Sequence, residues 1–484
     1  MFINQSFKEY IAKNPFLTAL LVNLILFSLF FLSYCPRFAI NDDPAMMNIA
    51  SGLISGEPSE YLIFINIVIG HILKFLYTIM PDFNWYVILF YLIHFISLNI
   101  ILYIFFLNRY SVYSLTLFLL LFVFLSTNFL VDLQFTTTAF AAGISGLLLL
   151  LKLGVPTVRK PLALLIIALI MLLTAGLIRS NVFYAMLAIG LPIMVFQAYK
   201  QNKIQNLVAL AIATLLFLAA SHYNSLSYQK DPAWEYYSQY NILRAKLTDY
   251  PHFAYNDNTK DIYSAVDWTE NRVNMFRSWS FADRNIFALE DLAYIKKHIE
   301  ASKVINISST FYTLLYGLIN VTITDPAGII FFLVISVITI LVVHKKNKQY
   351  WYLAIVMVLA AALYLAYGGR LPARVLYPLL YFLCCYALHF LTMVDNNIFN
   401  YSQAQNLFKH RVYLYTGLAL ICLGIFILDA QKSTINKTIQ ARIDRNLEML
   451  ISIWAKRKAA LSSLGRKEEP ISIQLYLSTS PLKN

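Results

Sequence analysis

The stretch FLTALLVNLILFSLFFLSY at residues 16–34, followed by RFAINDDP at residues 37–44, decides the fold. The first part is an uncharged apolar run, and a helix of about 20 such residues crosses the roughly 30 Å hydrocarbon core of a bilayer. Similar runs recur along most of the chain, which argues against a soluble enzyme behind a signal peptide. The 484 residues are 59% hydrophobic and 13% charged, too few charges to cover a soluble protein of this size. The sequence therefore predicts an all-α polytopic membrane protein.

The apolar runs predict about 11–13 transmembrane helices. Clear candidates lie at residues 16–34, 84–107, 112–130, 136–153, 161–178, 181–198, 206–221, 326–344, 351–367, 375–394 and 412–428. Two segments are doubtful: 62–80 carries His71 and Lys74 and ends at Pro81, and 309–323 is short. The net charge of +13 lies largely in short clusters between the runs, which fits topology signals better than nucleic-acid binding.

The distribution of Lys and Arg predicts the orientation, because positive residues concentrate in cytoplasmic loops. If only the clear runs span, the short inner loops hold Lys8, Lys13, Arg109, Lys152, Arg159, Lys160, Lys200, Lys203, Lys345, Lys346, Lys348, Lys409 and Arg411. The short outer loops hold Arg37, Arg179, Arg370 and Arg374. If segment 62–80 alone also crossed fully, every later loop up to residue 308 would move to the other side of the membrane, and the rule would fail. We therefore predict an outer juxtamembrane or re-entrant element at 62–80, a cytoplasmic N-terminus and an extracytoplasmic C-terminus.

This topology divides the chain into four predicted parts. They are an N-terminal transmembrane module at 1–221 with its first outer loop at 35–83, an extracytoplasmic cap segment at 222–308, a C-terminal transmembrane module at 309–430, and a small extracytoplasmic tail at 431–484. Within the cap, helices are expected around 235–248 and 286–303. Its aromatic residues could stack on sugars or pack the cap: Trp234, Tyr237, Trp268 and Trp279. The four cysteines predict no disulfide framework.

Asp42 and Asp43 stand just past the first apolar run. An acid before Pro44 is a common N-cap pattern, so Asp43 is expected to cap a helix that begins there. Capping leaves the second acid unexplained. A carboxylate pair at a membrane mouth can instead bind a divalent ion or act as a base towards a hydroxyl.

Other polar residues fall on the same predicted face. Asp132 and Gln134 lie in the second outer loop, where spacing alone makes Asp132 a lone acid at a helix end. Arg370 and Arg374 either contact lipid headgroups or hold a phosphate, since a guanidinium matches phosphate oxygens in bidentate geometry. Arg179, in the break LIRSN at 177–181, could join them.

The outward-running first helix, the acidic pair just past it and the surface segment ending in SGEPSEYL resemble the GT-C superfamily of polytopic membrane glycosyltransferases. The resemblance implies a large helical bundle with an outward cavity and an inverting transfer from a polyprenyl-phosphate-linked sugar donor. It implies catalytic roles for Asp42 and Asp43, possible metal ligation by Asp42, Asp43 and Asp132, and substrate binding by Asp132, Gln134, Arg179, Arg370 and Arg374. The acceptor would be an envelope glycan, lipid or protein. The mid-chain position of the long outer segment and the small tail depart from several members of the superfamily.

Two other enzyme or transport functions fit a polytopic envelope protein. A surface polysaccharide polymerase or ligase also uses outer arginines but needs no acidic pair in the first loop. A lipid-linked glycan flippase, which is not an enzyme, should carry charges along a path inside its helices, whereas here most charges lie in loops. A scaffold role is a further alternative.

Overall fold

A computed structural model describes residues 13–53, 56–107, 118, 121–122, 126–153, 161–201, 203–302, 307–323 and 348–393. These residues are almost entirely helical, which confirms the prediction of an all-α polytopic membrane protein. The predicted spans at 326–344 and 412–428, most of 112–130 and the tail at 431–484 lie outside the described residues.

Seven helices of the described part are long and apolar enough to cross a membrane. They are α1 (Pro15–Ser33), α4 (Trp85–Phe106), α5 (Phe135–Lys152), α6 (Pro161–Ile178), α7 (Ser180–Gln201), α8 (Ile204–Gln229) and α14 (Lys348–Tyr367). The observed ends of these helices lie within a few residues of the predicted ends in most cases. The exception is α8, which runs past the predicted boundary at residue 221 into the segment assigned to the cap.

Helix α5 lies at the centre of the bundle. Every one of its residues is buried, whereas about a third of the spanning window of α1, α6 and α14 is buried. Small residues let neighbours approach closely: a Cβ on Gly146 would lie 2.9 Å from the carbonyl oxygen of Ala168 in α6. The N-terminus of α5 is therefore held rigidly, and the candidate site is built around it.

Four further helices of the described part belong to the bundle. They are α2 (Asp42–Ser51), α3 (Ile67–Ile79), α13 (Ile307–Ile323) and α15 (Ala373–Met393). Helix α3 falls in the doubtful segment 62–80, and its 13 residues rise only about 20 Å, less than the hydrocarbon thickness. Its length fits the predicted juxtamembrane or re-entrant element. Gly70 on α3 lies against the backbone of Glu60, where a Cβ would come within 1.9 Å of the carbonyl oxygen.

One short sheet interrupts the helices. Strand β1 (Arg37–Phe38) pairs in parallel with β2 (Asp132–Leu133), with Arg37 opposite Asp132. A π-helical turn at Ser126–Leu130 precedes β2. The ladder ties the first predicted outer loop to the second, a contact that the hydropathy pattern did not predict.

The described chain separates into two compact units. One contains the bundle helices and extends to Ser238, resuming at residue 307. The other comprises residues 239–302 and contains the end of α9 (Pro232–Asp249), a 3-10 turn at Pro251–Phe253, α10 (Lys260–Ser264), α11 (Glu270–Arg277) and α12 (Leu289–Ser302). The helices expected around 235–248 and 286–303 correspond to α9 and α12. A core around Trp268 and Phe276 holds the second unit together.

Candidate functional site

The two predicted outer loops meet at the β1–β2 ladder. The N–H of Arg37 donates to the carbonyl of Val131 at 2.8 Å, and the N–H of Ala39 donates to the carbonyl of Leu133 at 3.0 Å. Across the ladder, Nε of Arg37 lies 2.6 Å from Oδ1 of Asp132. Asp132 is therefore an ion-pair partner that helps align the loops.

Asp43 follows β1 and is fully buried. Its Oδ1 accepts two hydrogen bonds, from the hydroxyl of Tyr86 at 2.8 Å and from the backbone N–H of Phe135 at 3.0 Å. Phe135 is the first residue of α5, so Asp43 caps α5, and its negative charge lies at the positive end of that helix dipole. The prediction that Asp43 caps its own helix is wrong, because α2 begins one residue earlier, at Asp42, with Asn41 as its N-cap.

The second oxygen of Asp43 has no hydrogen-bond partner in the described part of the chain. Burial raises the pKa of Asp43 to about 7, against the lowering effect of the hydrogen bonds from Tyr86 and Phe135. The charge of Asp42 raises this pKa further, and that of Arg374 lowers it. A carboxyl group with one oxygen held and the other buried but unpaired, with a pKa near neutral pH, suits a general base.

Gln134 adjoins this carboxylate through the chain. It precedes Phe135, is 2% exposed, and its Nε2 donates to no protein group in the described structure. Its carbonyl accepts hydrogen bonds from the hydroxyls of Thr137 and Thr138. A buried amide donor without a partner is costly, so it marks a position where a ligand or water would be accommodated.

Arg179 occupies the single-residue break between α6 and α7. Its guanidinium carbon lies 5.2 Å from the ring centroid of Phe64 and 5.0 Å from that of Phe135. Burial lowers the pKa of Arg179 to about 10, Arg374 and Arg370 lower it further, and Asp42 opposes them. The side chain therefore stays charged at neutral pH within electrostatic range of these three groups.

Arg370 and Arg374 flank the start of α15. Arg370 follows Gly369, which adopts φ +83°, and Arg374 is the second residue of α15. Both are partly buried. Arg374 is within electrostatic range of both Asp43 and Arg179, and Arg370 is within range of Arg179.

A three-carboxylate metal site is not assembled by the described residues. These residues contain no group of three or more His, Cys, Asp or Glu placed to hold a metal ion. Asp132 pairs with Arg37, while Asp42 lies near Asp43 in the first turn of α2. The oxygens of Asp42 and Asp43 remain suitable ligands for a hard divalent cation.

The predicted sugar-stacking aromatics have different environments. Trp268 is 1% exposed and belongs to the core of the second unit. Trp234 stacks on Tyr61 with centroids 5.1 Å apart and has Tyr237 edge-on at 5.7 Å, so these rings pack against one another. Trp279 remains 57% exposed.

Sequence reasoning missed Tyr86 and Phe64. Tyr86 lies at the start of an apolar run, where a tyrosine resembles an interfacial anchor. Only the fold shows that its hydroxyl reaches Asp43, 43 residues earlier. Phe64 had no polar signal to distinguish it from its apolar neighbours.

Comparison with known proteins identifies no relative. No family model, curated protein or solved structure matches the chain.

Proposed function

We propose that the chain is a GT-C-like glycosyltransferase of a bacterial inner membrane. It would move a sugar from a polyprenyl-phosphate-linked donor to an envelope glycan, lipid or protein acceptor on the extracytoplasmic side, with its N-terminus in the cytoplasm. The observation that carries the proposal is Asp43, a buried carboxylate with one bonded and one unpaired oxygen, within electrostatic range of Arg374.

In the proposed reaction, Asp43 takes the proton from an acceptor hydroxyl. The acceptor oxygen then forms a bond to the anomeric carbon while the bond from that carbon to the phosphate oxygen breaks, which inverts the anomeric centre. The phosphate leaves with the bonding electron pair. Arg179, Arg370 and Arg374 would stabilise its growing charge, because guanidinium groups match phosphate oxygens in charge and geometry.

A divalent cation fits this proposal only in part. Asp42 and the unpaired oxygen of Asp43 would supply the oxygen ligands that such an ion prefers, and its charge would offset that of the phosphate. Asp132 would have to leave Arg37 to join them. The arginines supply positive charge at the same place without that rearrangement.

The acidic pair also favours a transferase over the alternatives. A polymerase or ligase that relies on outer arginines has no need of a buried carboxylate at the first loop. A flippase would need charged residues along a path inside its helices. Here Asp42, Asp43 and the arginines act on one another electrostatically, so their charges lie close together.

The direct test replaces Asp42 and Asp43 singly by Asn in the bacterium that carries the chain. Membrane insertion is verified, and the surface glycans are profiled by mass spectrometry. We expect Asp43→Asn to remove one glycan, while Asp82→Asn, an exposed acid in the same loop, leaves the profile unchanged. Unchanged glycans in both Asp42→Asn and Asp43→Asn would reject the proposal.

A further inference from the structure

The side chain of Arg179 is held by aromatic rings and by no hydrogen bond in the described structure. Its neighbours are the rings of Phe64 and Phe135, and within the described residues the guanidinium donates no hydrogen bond and forms no ion pair, although the backbone N–H of Arg179 donates to the carbonyl of Ala175. A guanidinium has five N–H donors. Leaving them unfilled in a partly buried position is unfavourable, so water or a ligand is expected to accept from them.

The charge around Arg179 would push its side chain away. Arg374 and Arg370 both act on it with like charge, and Asp42 provides the opposing attraction. Two aromatic faces counter this repulsion, because the ring quadrupoles attract the guanidinium. The rings stack on each other in near-parallel geometry, with centroids 5.7 Å apart and an angle of 7°.

The segment that carries Phe64 is strained and firmly attached. Ile63 adopts φ +62°, a conformation that is an outlier for a β-branched residue. Its N–H donates to the hydroxyl of Tyr228 at 3.0 Å. Two residues past Phe64, the N–H of Asn66 donates to the carbonyl of Leu177 at 2.7 Å, shortly before the break at Arg179. These bonds offset the strain and fix Phe64 relative to Arg179.

Phe64 is also not an ordinary core residue. Leu62 and Ile65, on either side of it, are 0% and 2% exposed, whereas Phe64 is only half-buried. A turn selected for packing alone would bury its largest apolar ring. Here that ring lies against a cation at the surface of the site.

We infer that Phe64 is a positioning residue that holds the Arg179 guanidinium against Phe135 so that its N–H donors bind the phosphate of an isoprenyl phosphate. This inference rests on the proposed function for the identity of the lipid. It extends that proposal by placing the main phosphate contact at the α6–α7 break.

Binding can be measured without any transfer reaction. The full chain is placed in phosphatidylcholine nanodiscs and titrated with undecaprenyl phosphate, with undecaprenol as the uncharged control. We expect Arg179→Gln to weaken undecaprenyl phosphate binding at least about tenfold and Phe64→Leu to weaken it about threefold to tenfold. Phe64→Tyr, which keeps the ring, should stay within about twofold of the wild type, and undecaprenol binding should not change.

The double variant Phe64→Leu/Arg179→Gln should bind no more weakly than Arg179→Gln alone, because Phe64 acts through Arg179. Inorganic pyrophosphate should compete, whereas phosphatidylglycerol at equal phosphate concentration should compete poorly. Equal loss in Phe64→Leu and Phe64→Tyr, additive loss in the double variant, or equal competition by phosphatidylglycerol would overturn the inference. Asp43→Asn should still bind undecaprenyl phosphate. The binding assay therefore tests this inference separately from the transferase proposal, which the glycan profile of Asp43→Asn tests.

Discussion

Oδ1 of Asp43 lies 3.0 Å from the backbone nitrogen of Phe135, so a carboxylate from the first predicted outer loop caps the central helix of the bundle. The contact fixes the orientation of the carboxyl group, because Tyr86 holds the same oxygen from a second helix. One oxygen is thereby bound to the scaffold, and the other is buried without a hydrogen-bond partner in the described residues.

Asp43→Asn should be more stable than the wild type at alkaline pH while losing activity. The pKa of about 7 in the folded protein lies above the ordinary value of 3.8, so the folded state keeps a proton that the unfolded state releases. The contribution of Asp43 to stability is therefore full below about pH 4 and is lost as pH rises through about 7. The substituted amide keeps an oxygen to accept from Tyr86 and Phe135 and carries no charge.

Thermal unfolding in detergent at pH 5 and pH 8 measures this effect. The melting temperature of Asp43→Asn minus that of the wild type should be larger at pH 8 than at pH 5. A constant difference would show that Asp43 does not titrate in this range.

Tyr86→Phe should move the pH dependence of transfer to higher pH. The rate should rise with pH as Asp43 loses its proton near pH 7, and the hydrogen bond from Tyr86 lowers that pKa. Removing the hydroxyl therefore raises the pKa and slows transfer at neutral pH, with recovery at higher pH. Tyr77→Phe is the matched control, because its hydroxyl contacts Asn84 and the N–H of Tyr86 but not Asp43. An unshifted profile in Tyr86→Phe would contradict the base role.

Exchanging the charges of Arg37 and Asp132 should show whether Asp132 aligns the two loops through its ion pair or binds substrate or metal. Their side chains are 59% and 35% exposed, and such pairs contribute about 0.2–1 kcal/mol. We expect Asp132→Arg to lower activity through repulsion with Arg37, and the double variant Arg37→Asp/Asp132→Arg to restore most of it. If the exchange fails to restore activity while Asp132→Ala abolishes it, Asp132 is a ligand of substrate or metal.

Gly70→Ala should destabilise the juxtamembrane segment. The new Cβ would lie 1.9 Å from the carbonyl oxygen of Glu60, so the loop must move away from α3 at a cost of about 1–3 kcal/mol. Gly317→Ala is the control, because its Cβ would meet only the side chain of Leu371, whose nearest atom is a terminal carbon at 3.0 Å that can rotate away. Thermal unfolding and proteolysis near residue 60 measure the difference. Equal stability of the two variants would show that the close approach is not required.

Labelling of Cys35 tests the predicted orientation. Cys35 is exposed in the described structure and lies in the first predicted outer loop. With the other cysteines replaced by Ser, a membrane-impermeant maleimide should label Cys35 in intact cells. In a second chain, Cys35→Ser with Lys13→Cys, the same reagent should label only after the cells are lysed. The reverse pattern would invert the topology.

The helices could be predicted because their signal is local. A membrane span needs only an apolar run of sufficient length, and the seven long helices reproduce predicted spans to within a few residues at most ends. The sequence also predicted that Asp42, Asp43, Arg179, Arg370 and Arg374 share one face, and that orientation remains a prediction. The structure shows electrostatic proximity between Asp43 and Arg374, and between Arg179 and Asp42, Arg370 and Arg374.

The connections within the site could not be predicted in this way. The hydrogen bond from Phe135 to Asp43 spans 92 residues, and the Arg37–Asp132 pair spans 95. Neither periodicity nor hydropathy carries information about which loops pair. Local spacing assigned Asp43 to the nearest helix start, whereas its carboxylate accepts a hydrogen bond from the first residue of α5.

The parallel ladder between Arg37–Phe38 and Asp132–Leu133 has a consequence for biogenesis. A chain that inserts from its N-terminus releases the acidic pair long before its strand partner has been made. The carboxylate of Asp43 is then expected to stay solvated until the residues near 132 have been synthesised, because Phe135 donates to it. We therefore expect chains truncated before residue 131 to insert their first helix yet leave this acid hydrated and without its elevated proton affinity.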